Sequence, residues 1–308
     1  MWFKQIQLFQ LADSANISVN NLLEKLKVFA FRPCLPSISS STGWVSPVDS
    51  EDANSPLIRS INGYTMVCLQ IEEKILPASV IRHELAKKIH KIEKEEDRKV
   101  RHSEKLTLKD ELIMTLLPRA FSKFIKLYAY IDPKNHRIIF GTANAKRAEQ
   151  FISFFNKTLT DNVCSIEINK ISPIMTHWLK NQDYPTSFSI EKSCVLQDPA
   201  QQGRVIRCQQ QDLFTISVQS LIKDGCEVKQ LAVNWQDRVN FVVSDDLSLK
   251  SIKFQEEILF QAKEMEAETK EQLFDADFLI MTDIISLVLN DLLAVFTANS
   301  AEPLAKTA

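Results

Sequence analysis

The sequence predicts an α+β fold in which lobes built on antiparallel sheets carry a charged helical arm. Three observations support this class. Alternating apolar and polar residues at 231–235 and 239–243 flank a short turn at Gln236-Asp237, which is typical of a β-hairpin. Apolar residues at spacings of three and four elsewhere indicate amphipathic helices. The chain has 308 residues and 45% apolar content, enough for a large core divided between two or three lobes.

The N-terminal part is expected to combine a strand, a helix and a long loop. Residues 2–11 alternate well enough for a strand, and Ser18 is expected to cap a helix that follows it. Four prolines predict irregular structure over residues 33–60, with Trp44 anchoring this loop to the core. A strand at 65–71 then leads into the charged segment.

The charged arm is predicted to begin with a helix just after Pro77. Ile81, Leu85, Ile89 and Ile92 form one narrow apolar stripe on this helix and leave its other faces to charged residues.

The charge of the chain is unevenly distributed. Residues 82–126 contain thirteen basic and eight acidic residues, although the whole chain is formally −2. From residue 255 onward, eleven acidic residues stand against three lysines. This asymmetry suggests a polyanion-binding surface on the arm. The alternative is an ordinary solvated helix surface on which lysines and glutamates pair with each other.

Beyond the arm the pattern returns to strands. Thr107 and Asp110 have the spacing of a capping box ahead of a helix, and Pro118 is expected to end that helix. Strands at 124–131 and 137–140 flank a turn-forming tetrapeptide.

The C-terminal half is expected to contain more strands and a buried helix. Residues 145–159 predict a helix with one buried side, and residues 249–254 predict a third strand after the 231–243 hairpin. The most apolar run, 278–296, is interrupted by acidic residues, which favours a buried helix over a membrane span. The tail after Asn299 is expected to be frayed.

These elements suggest three regions. Residues 1–75 and 125–170 form a central α+β region, residues 76–124 form the helical arm and tip, and residues 171–308 form a second sheet-containing lobe with C-terminal helices.

Motifs for catalysis are scarce. The six cysteines form no CxxC pair and no signal segment is recognisable, so a reduced cytoplasmic chain is expected. The five glycines form neither GxGxxG nor a Walker loop, and the histidines form no HExxH, so no cofactor is predicted. The remaining enzyme hypothesis is a metal-dependent nuclease, since two-metal cleavage needs clustered carboxylates. Its candidate ligands are Asp245, Asp246, Glu256, Glu257, Asp275 and Asp277.

Five segments spread along nearly the whole chain carry a family resemblance. They are the opening WFK, EEKILP at 72–77, TLLPRAFS at 115–122, VIRCQQQDL at 205–213 and FDADFLIMT at 274–282. In this order they resemble the recombination-associated protein family RdgC.

The resemblance implies a protein without catalytic activity that binds DNA regardless of sequence. It implies a homodimer that forms a ring around double-stranded DNA in the cytoplasm, associated with the nucleoid, with single-stranded DNA left open as a second ligand. By occupying DNA, such a ring limits the access of RecA recombinase. An interaction module that binds an acidic protein through the arm remains a competing hypothesis.

A sequence-independent DNA ring needs cations that face phosphates and no side chains that read bases. At the end of the second arm helix, Pro118 is expected to present Arg119, Phe121 and Lys123 at a turn. In the light of the resemblance, Phe121 is predicted as the tip contact between subunits; the alternative is an ordinary core aromatic.

The strand at 205–213 offers a second surface. Relatives commonly carry lysines where this chain has Gln209 and Gln210, so two cations are missing here. The complete predicted DNA-binding set is Lys74, Arg82, Lys87, Lys88, Arg119, Lys123, Arg207, Gln211, Lys229, Arg238, Lys250 and Lys253.

Overall fold

The computed structural model describes residues 1–11, 18–52, 54–159, 163–165, 171–200, 203–264 and 269–298. Over these residues the chain forms two antiparallel β-sheets and eight α-helices. The strands are β1 (Gln7–Leu11), β2 (Ser40–Val45), β3 (Ile58–Ile61), β4 (Tyr64–Lys74), β5 (Ser122–Asp132), β6 (Arg137–Phe140), β7 (Val163–Ser165), β8 (Phe188–Gln197), β9 (Val205–Gln209), β10 (Glu227–Trp235), β11 (Val239–Ser244) and β12 (Leu249–Phe254). The helices are α1 (Val19–Val28), α2 (Ala78–Glu96), α3 (His102–Leu116), α4 (Ala145–Leu159), α5 (Ile171–Asn181), α6 (Ile216–Lys223), α7 (Glu256–Glu264) and α8 (Lys270–Ala298).

The first sheet has the strand order β2-β4-β5-β6-β1-β7. The strand β2 pairs with the C-terminal part of β4, and β3 pairs with its N-terminal part. Its central strands, β4 and β5, are paired from Thr65↔Ile131 to Lys74↔Ser122. The helices α2 and α3 lie between these two strands in the chain. The arm is therefore a helical hairpin attached to the end of a long two-stranded ribbon.

The second sheet has the order β12-β11-β10-β8-β9. Backbone hydrogen bonds between Ile6 and Leu249, 2.8 and 3.0 Å long, join its edge strand β12 to the segment just before β1. The two sheets are thus connected directly through the backbone.

One face of the first sheet is covered by α1 and α4. Trp44 lies at the centre of this layer with 1% of its surface exposed. Its ring meets Phe151 edge-on, and its indole N–H donates to the Thr158 hydroxyl at 3.0 Å. The predicted anchoring of the loop by Trp44 is confirmed.

A second core fills the space between the two sheets. The helix α8 supplies Phe278 and Phe296, which contact Tyr130 of the first sheet and Trp178 of α5. The segment Lys270–Thr297 is long and apolar enough to cross a membrane, with a mean hydropathy of 2.0, but half of its most apolar window is buried in the protein. Packing in this core accounts for its apolar composition, as the sequence predicted.

Most predicted elements are confirmed. Ser18 caps α1 by accepting the Asn21 N–H, and α4 has the predicted bounds. The predicted hairpin corresponds to β10 and β11, and β12 follows as the third strand. Gln236 and Asp237 adopt positive φ angles of 48° and 53°, which a tight hairpin turn requires.

Three local predictions are wrong. The proline-rich segment is not irregular throughout, because β2 fits between Pro36 and Pro47 and pairs with β4 over six residues. The second arm helix begins at His102, and the Thr107 hydroxyl donates to the Ser103 carbonyl within it instead of capping its start. The first strand begins at Gln7 and not at residue 2 as predicted. The predicted frayed tail after Asn299 lies outside the described residues, and the division into three regions stays a prediction.

Candidate nucleic-acid interface

The arm has little core of its own. No residue of α2 is fully buried, and in α3 only Leu108 is. The predicted stripe of Ile81, Leu85, Ile89 and Ile92 is half-buried, consistent with packing of α2 against α3. The arm is therefore a two-helix hairpin with most of its surface exposed to solvent.

Many arm cations are engaged by neighbouring carboxylates. Lys87 pairs with Glu84, and Lys88 crosses to Glu111 of α3, each at 2.9 Å. Arg98 makes two hydrogen bonds of 2.8 Å to Glu104 and one to Glu96. The bonds to Glu104 are the main cause, and the bond to Glu96 the second, of a raised Arg98 pKa. The competing interpretation, a solvated surface of ion pairs, accounts for this part of the arm.

The root of the arm, where α3 leads into β5, carries exposed basic and aromatic side chains. Pro118 lies in a short 3-10 turn that connects α3 to β5, so the predicted helix end is confirmed. Arg119, Phe121 and Lys123 are all exposed there. Phe121 has 84% of its surface exposed, so the core-aromatic alternative is wrong. These residues lie where the hairpin joins the ribbon, far along the chain from the α2–α3 turn. Phe121, predicted as a tip contact, therefore lies at the root of the arm and not at the tip of its helices.

Two other predicted cations lie near this root. Lys74 is the last residue of β4 and is paired with Ser122. Arg82 is exposed on the first turns of α2, and its guanidinium donates to the Ala78 carbonyl at 3.3 Å. Both are close in the chain to the ribbon end.

Three predicted cations of the second lobe share one face of the second sheet. Directly paired residues on neighbouring strands point to the same face. Arg207 pairs with Val195, Val195 with Gln230, and Gln230 with Ser244, so these four residues share a face. Lys250 and Lys253 pair with Val242 and Asn240 of β11, which lie on the same side of that strand as Ser244. The helices α5, α6 and α8 pack against the opposite, inner face. Arg207, Lys250 and Lys253 therefore lie on the outer face of the sheet.

A bulge explains how two lysines of one short strand point the same way. Residues three apart would normally face opposite sides of a strand. Ser251 has a φ angle of 52°, and the pairing shifts between Asn240 and Val242. This irregularity turns both Lys250 and Lys253 outward while Ile252 enters the core.

The other predicted residues of this lobe are placed differently. Lys229 is held between Glu227 at 3.1 Å and Asp245 at 3.6 Å. The Arg238 guanidinium lies over the Trp235 ring, 5.9 Å from its centre. Gln211 is exposed beyond the end of β9. Of these, Gln211 is the residue whose side chain is most available to a phosphate.

Three of the six candidate nuclease carboxylates have separate structural roles. Asp275 forms an ion pair with Arg59, and Asp277 accepts the Trp2 indole N–H at 2.9 Å. Asp246 accepts the Ser248 hydroxyl at 2.6 Å. Among the residues that the structure describes, no three histidine, cysteine or acidic side chains are close enough together to hold a metal ion.

The sequence did not identify every exposed residue at the ribbon end. Leu35, Ile38 and Phe124 are 62%, 45% and 55% exposed. The sequence pattern predicts Phe124 at the start of a sheet strand and the other two residues in an irregular loop. An apolar residue in a strand pattern carries no signal that its strand extends beyond the body of the sheet.

Comparison with known proteins places these features in a family. A family model described as "Putative exonuclease, RdgC" matches residues 1–299. A recombination-associated protein RdgC of Yersinia enterocolitica is 37% identical over 295 residues, which are 95% of this chain and 97% of the relative. The protein of that name from Yersinia pestis matches with the same identity and coverage.

Proposed function

This chain belongs to the RdgC family, and from that premise we propose that it binds DNA without sequence preference as a ring-shaped homodimer. The relatives are named as recombination-associated proteins, so the proposed role is in DNA recombination. In this proposal the ring occupies duplex DNA in the nucleoid and thereby limits the access of RecA. Direct contact with RecA is not required for this effect.

The observation that carries the DNA-binding proposal is the outer face of the second sheet. Arg207, Lys250 and Lys253 share this face with uncharged polar side chains, including those of Gln230 and Asn240. Cations and amide donors fixed on a rigid sheet can contact phosphates without reading bases, and phosphate contacts supply affinity by counterion release. Such a surface fits a ligand of variable sequence.

The ring proposal depends on the exposed aromatic at the root of the arm. The Phe121 side chain has 84% of its surface exposed. Its apolar surface is removed from water only when a partner covers it. Arg119 and Lys123 flank Phe121 in the chain, so a contact here would bring cations of two subunits close to DNA in the ring. We therefore place one subunit contact at this root and the second between the sheet-bearing lobes.

The name of the family model raises nuclease activity as a second candidate. A nuclease of the two-metal kind needs several carboxylates around one point. Three of the six candidates are instead engaged by different partners: Asp275 by Arg59, Asp277 by Trp2 and the N-terminal ammonium, and Asp246 by Ser248. The described part of the site therefore favours binding over cleavage.

One assay tests both candidates together. End-labelled duplexes of unrelated sequence, incubated with the protein and either magnesium or manganese, are expected to shift in a gel and to be recovered at full length. Asp275→Asn is the informative variant. If Asp275 is a metal ligand of a nuclease, its loss would abolish cleavage; if it only forms a structural ion pair with Arg59, its loss would alter only thermal stability. Shortened products that disappear in the Asp275→Asn protein would establish the nuclease candidate and contradict the proposal.

A further inference from the structure

Two cysteines face each other at the edge of the second sheet. Cys194 of β8 is directly opposite Cys208 of β9, the last strand in the sheet order. The two residues are 3% and 5% exposed and belong to the core between the sheets. The next pair along the ladder, Val195 and Arg207, points to the outer face. Because successive side chains alternate between faces, both thiols lie on the inner face.

The backbone holds this pair at a separation that suits a disulfide. The Asp198 N–H donates to the Arg204 carbonyl at 3.2 Å, so these two opposite residues form a hydrogen-bonded pair of the ladder. The two kinds of pair alternate along an antiparallel ladder, and Cys194 and Cys208 come four positions further along, so they are of the same kind. The Cα atoms of such a pair are about 5.5 Å apart. Disulfides most often join Cα atoms about 5.5–6 Å apart.

The side chains of the pair are also in contact. The two thiols are hydrogen-bonded to each other. Burial, and after it the neighbouring Cys208, raises the pKa of Cys194 to about 12, so this thiol is protonated at neutral pH. Since the thiolate is the reactive form of cysteine, Cys194 in the closed sheet reacts slowly with oxidants, and Cys208 is shielded by its burial. Reaction therefore requires that the strand bearing one of the thiols opens.

The strand β9 is suited to opening. It has five residues and lies at the end of the strand order, next to β8. The bond from Asp198 bounds its ladder at one end, and a bond of 3.3 Å from the Gln211 N–H to the Lys192 carbonyl bounds the other. Both are longer than the usual length of about 2.9–3.0 Å. Short segments held in this way open locally at a lower free energy than the whole protein.

We propose that Cys194 and Cys208 form an oxidisable thiol pair, which a hydroperoxide converts into a disulfide that fastens β9 to β8. When β9 opens, the Cys208 sulfur attacks one oxygen of hydrogen peroxide, the O–O bond breaks, and the products are a Cys208 sulfenic acid and water. As β9 closes, the Cys194 sulfur attacks the Cys208 sulfur. The S–S bond forms, the S–O bond breaks, and the hydroxide leaves as water with the Cys194 proton. The two thiols are oxidised by two electrons and one peroxide is reduced to two waters.

The disulfide would hold β9 and its outward-facing Arg207 on the sheet until a thiol reductant reopens it by exchange. The pair and its effect on β9 lie within one subunit. The proposal therefore does not rest on DNA binding or on the ring, and its failure would leave both untouched.

Peptide mapping without reduction tests the disulfide. The folded protein is treated with hydrogen peroxide, the remaining thiols are blocked with N-ethylmaleimide in denaturant, and the chain is cut with trypsin. Cleavage after lysine and arginine places Cys194 in the peptide 193–204 and Cys208 in the peptide 208–223. Mass spectrometry is expected to find these two peptides joined, and dithiothreitol is expected to separate them. The oxidised chain should migrate as a single subunit on a gel without reducing agent.

Hydrogen exchange tests the fastening of β9. In the oxidised protein the amides of residues 205–209 should exchange about tenfold more slowly than in the reduced protein, because the disulfide removes the opening that exposes them. Cys208→Ala should lose both the joined peptides and the slower exchange. Cys226→Ala is the matched control, since Cys226 is also buried but lies just before β10, outside the β8–β9 ladder. It should keep both effects.

Several results would overturn the proposal. Separate peptides after peroxide treatment of the folded protein would exclude the disulfide, and so would joining that occurs only in denaturant or between two copies of the chain. Unchanged exchange of β9 in a protein whose peptides are joined would show that the bond does not fasten the strand. The comparison of oxidised and reduced wild-type protein decides these points even if Cys208→Ala does not fold.

Discussion

Replacing Phe121 with alanine is expected to weaken the contact at the root of the arm by about 2 kcal/mol, the size of an interface hot spot. The fold should survive, because the side chain is 84% exposed and contributes little to the core of one subunit. A ring opened at one of two contacts should release circular duplex DNA faster, while its affinity for short linear duplexes changes little. Dissociation from relaxed plasmid after addition of competitor measures the first effect.

Ile216→Ala is the matched control for this experiment. Ile216 is 89% exposed on the second lobe, so its replacement removes a similar apolar surface away from the arm. Phe121→Leu should keep part of the effect because it keeps an apolar side chain. Plasmid release at the wild-type rate from Phe121→Ala would show that this residue does not close a ring, and loss of the folded state would show that it supports its own subunit.

Removal of the three outer-face cations is expected to lower DNA affinity more than Phe121→Ala does. If Arg207, Lys250 and Lys253 each contact one phosphate, the triple alanine variant should reduce the slope of log K against log salt by about 2.7, from about 0.9 per phosphate. The loss should be uniform across duplex sequences, since none of these contacts reads a base. Binding titrations at four salt concentrations measure the slope.

A second triple variant controls for net charge. Lys134, Lys180 and Lys223 are exposed, and two of them lie on helices that pack against the inner face of the second sheet. Their replacement by alanine removes the same formal charge from other parts of the surface. It should leave the salt slope near that of the unmodified protein. Equal losses in the two triple variants would mean that overall charge, and not the outer face, determines affinity.

The sequence predicted local structure well where the pattern was strong. The hairpin around Gln236-Asp237 and the helix 145–159 have their predicted positions because alternation and apolar spacing report burial on one side. It failed where tertiary pairing prevailed over a local signal. The strand β2 forms between two prolines because β4 supplies hydrogen-bond partners along its whole length, which proline spacing does not reveal.

The candidate site was predictable in residue type more than in arrangement. Pro118 and Arg119 lie at the predicted helix end, and Phe121 is exposed as the family resemblance implied. The common face of Arg207, Lys250 and Lys253 depends on strand register and on the bulge at Ser251, neither of which a local pattern encodes. The ion pair of Lys88 also could not be deduced from counts of charge, since Lys88 meets Glu111 only when α2 and α3 fold together.

The central claim is that this chain binds duplex DNA through phosphates alone, and the salt dependence of affinity tests it most directly. Two duplexes of equal length and unrelated sequence are titrated with the unmodified protein between low and moderate salt. The account predicts affinities equal within about threefold at every salt concentration, and a slope of about −2.7 or steeper, since at least three cations contribute about −0.9 each. An affinity insensitive to salt, or a hundredfold preference for one duplex, would contradict it.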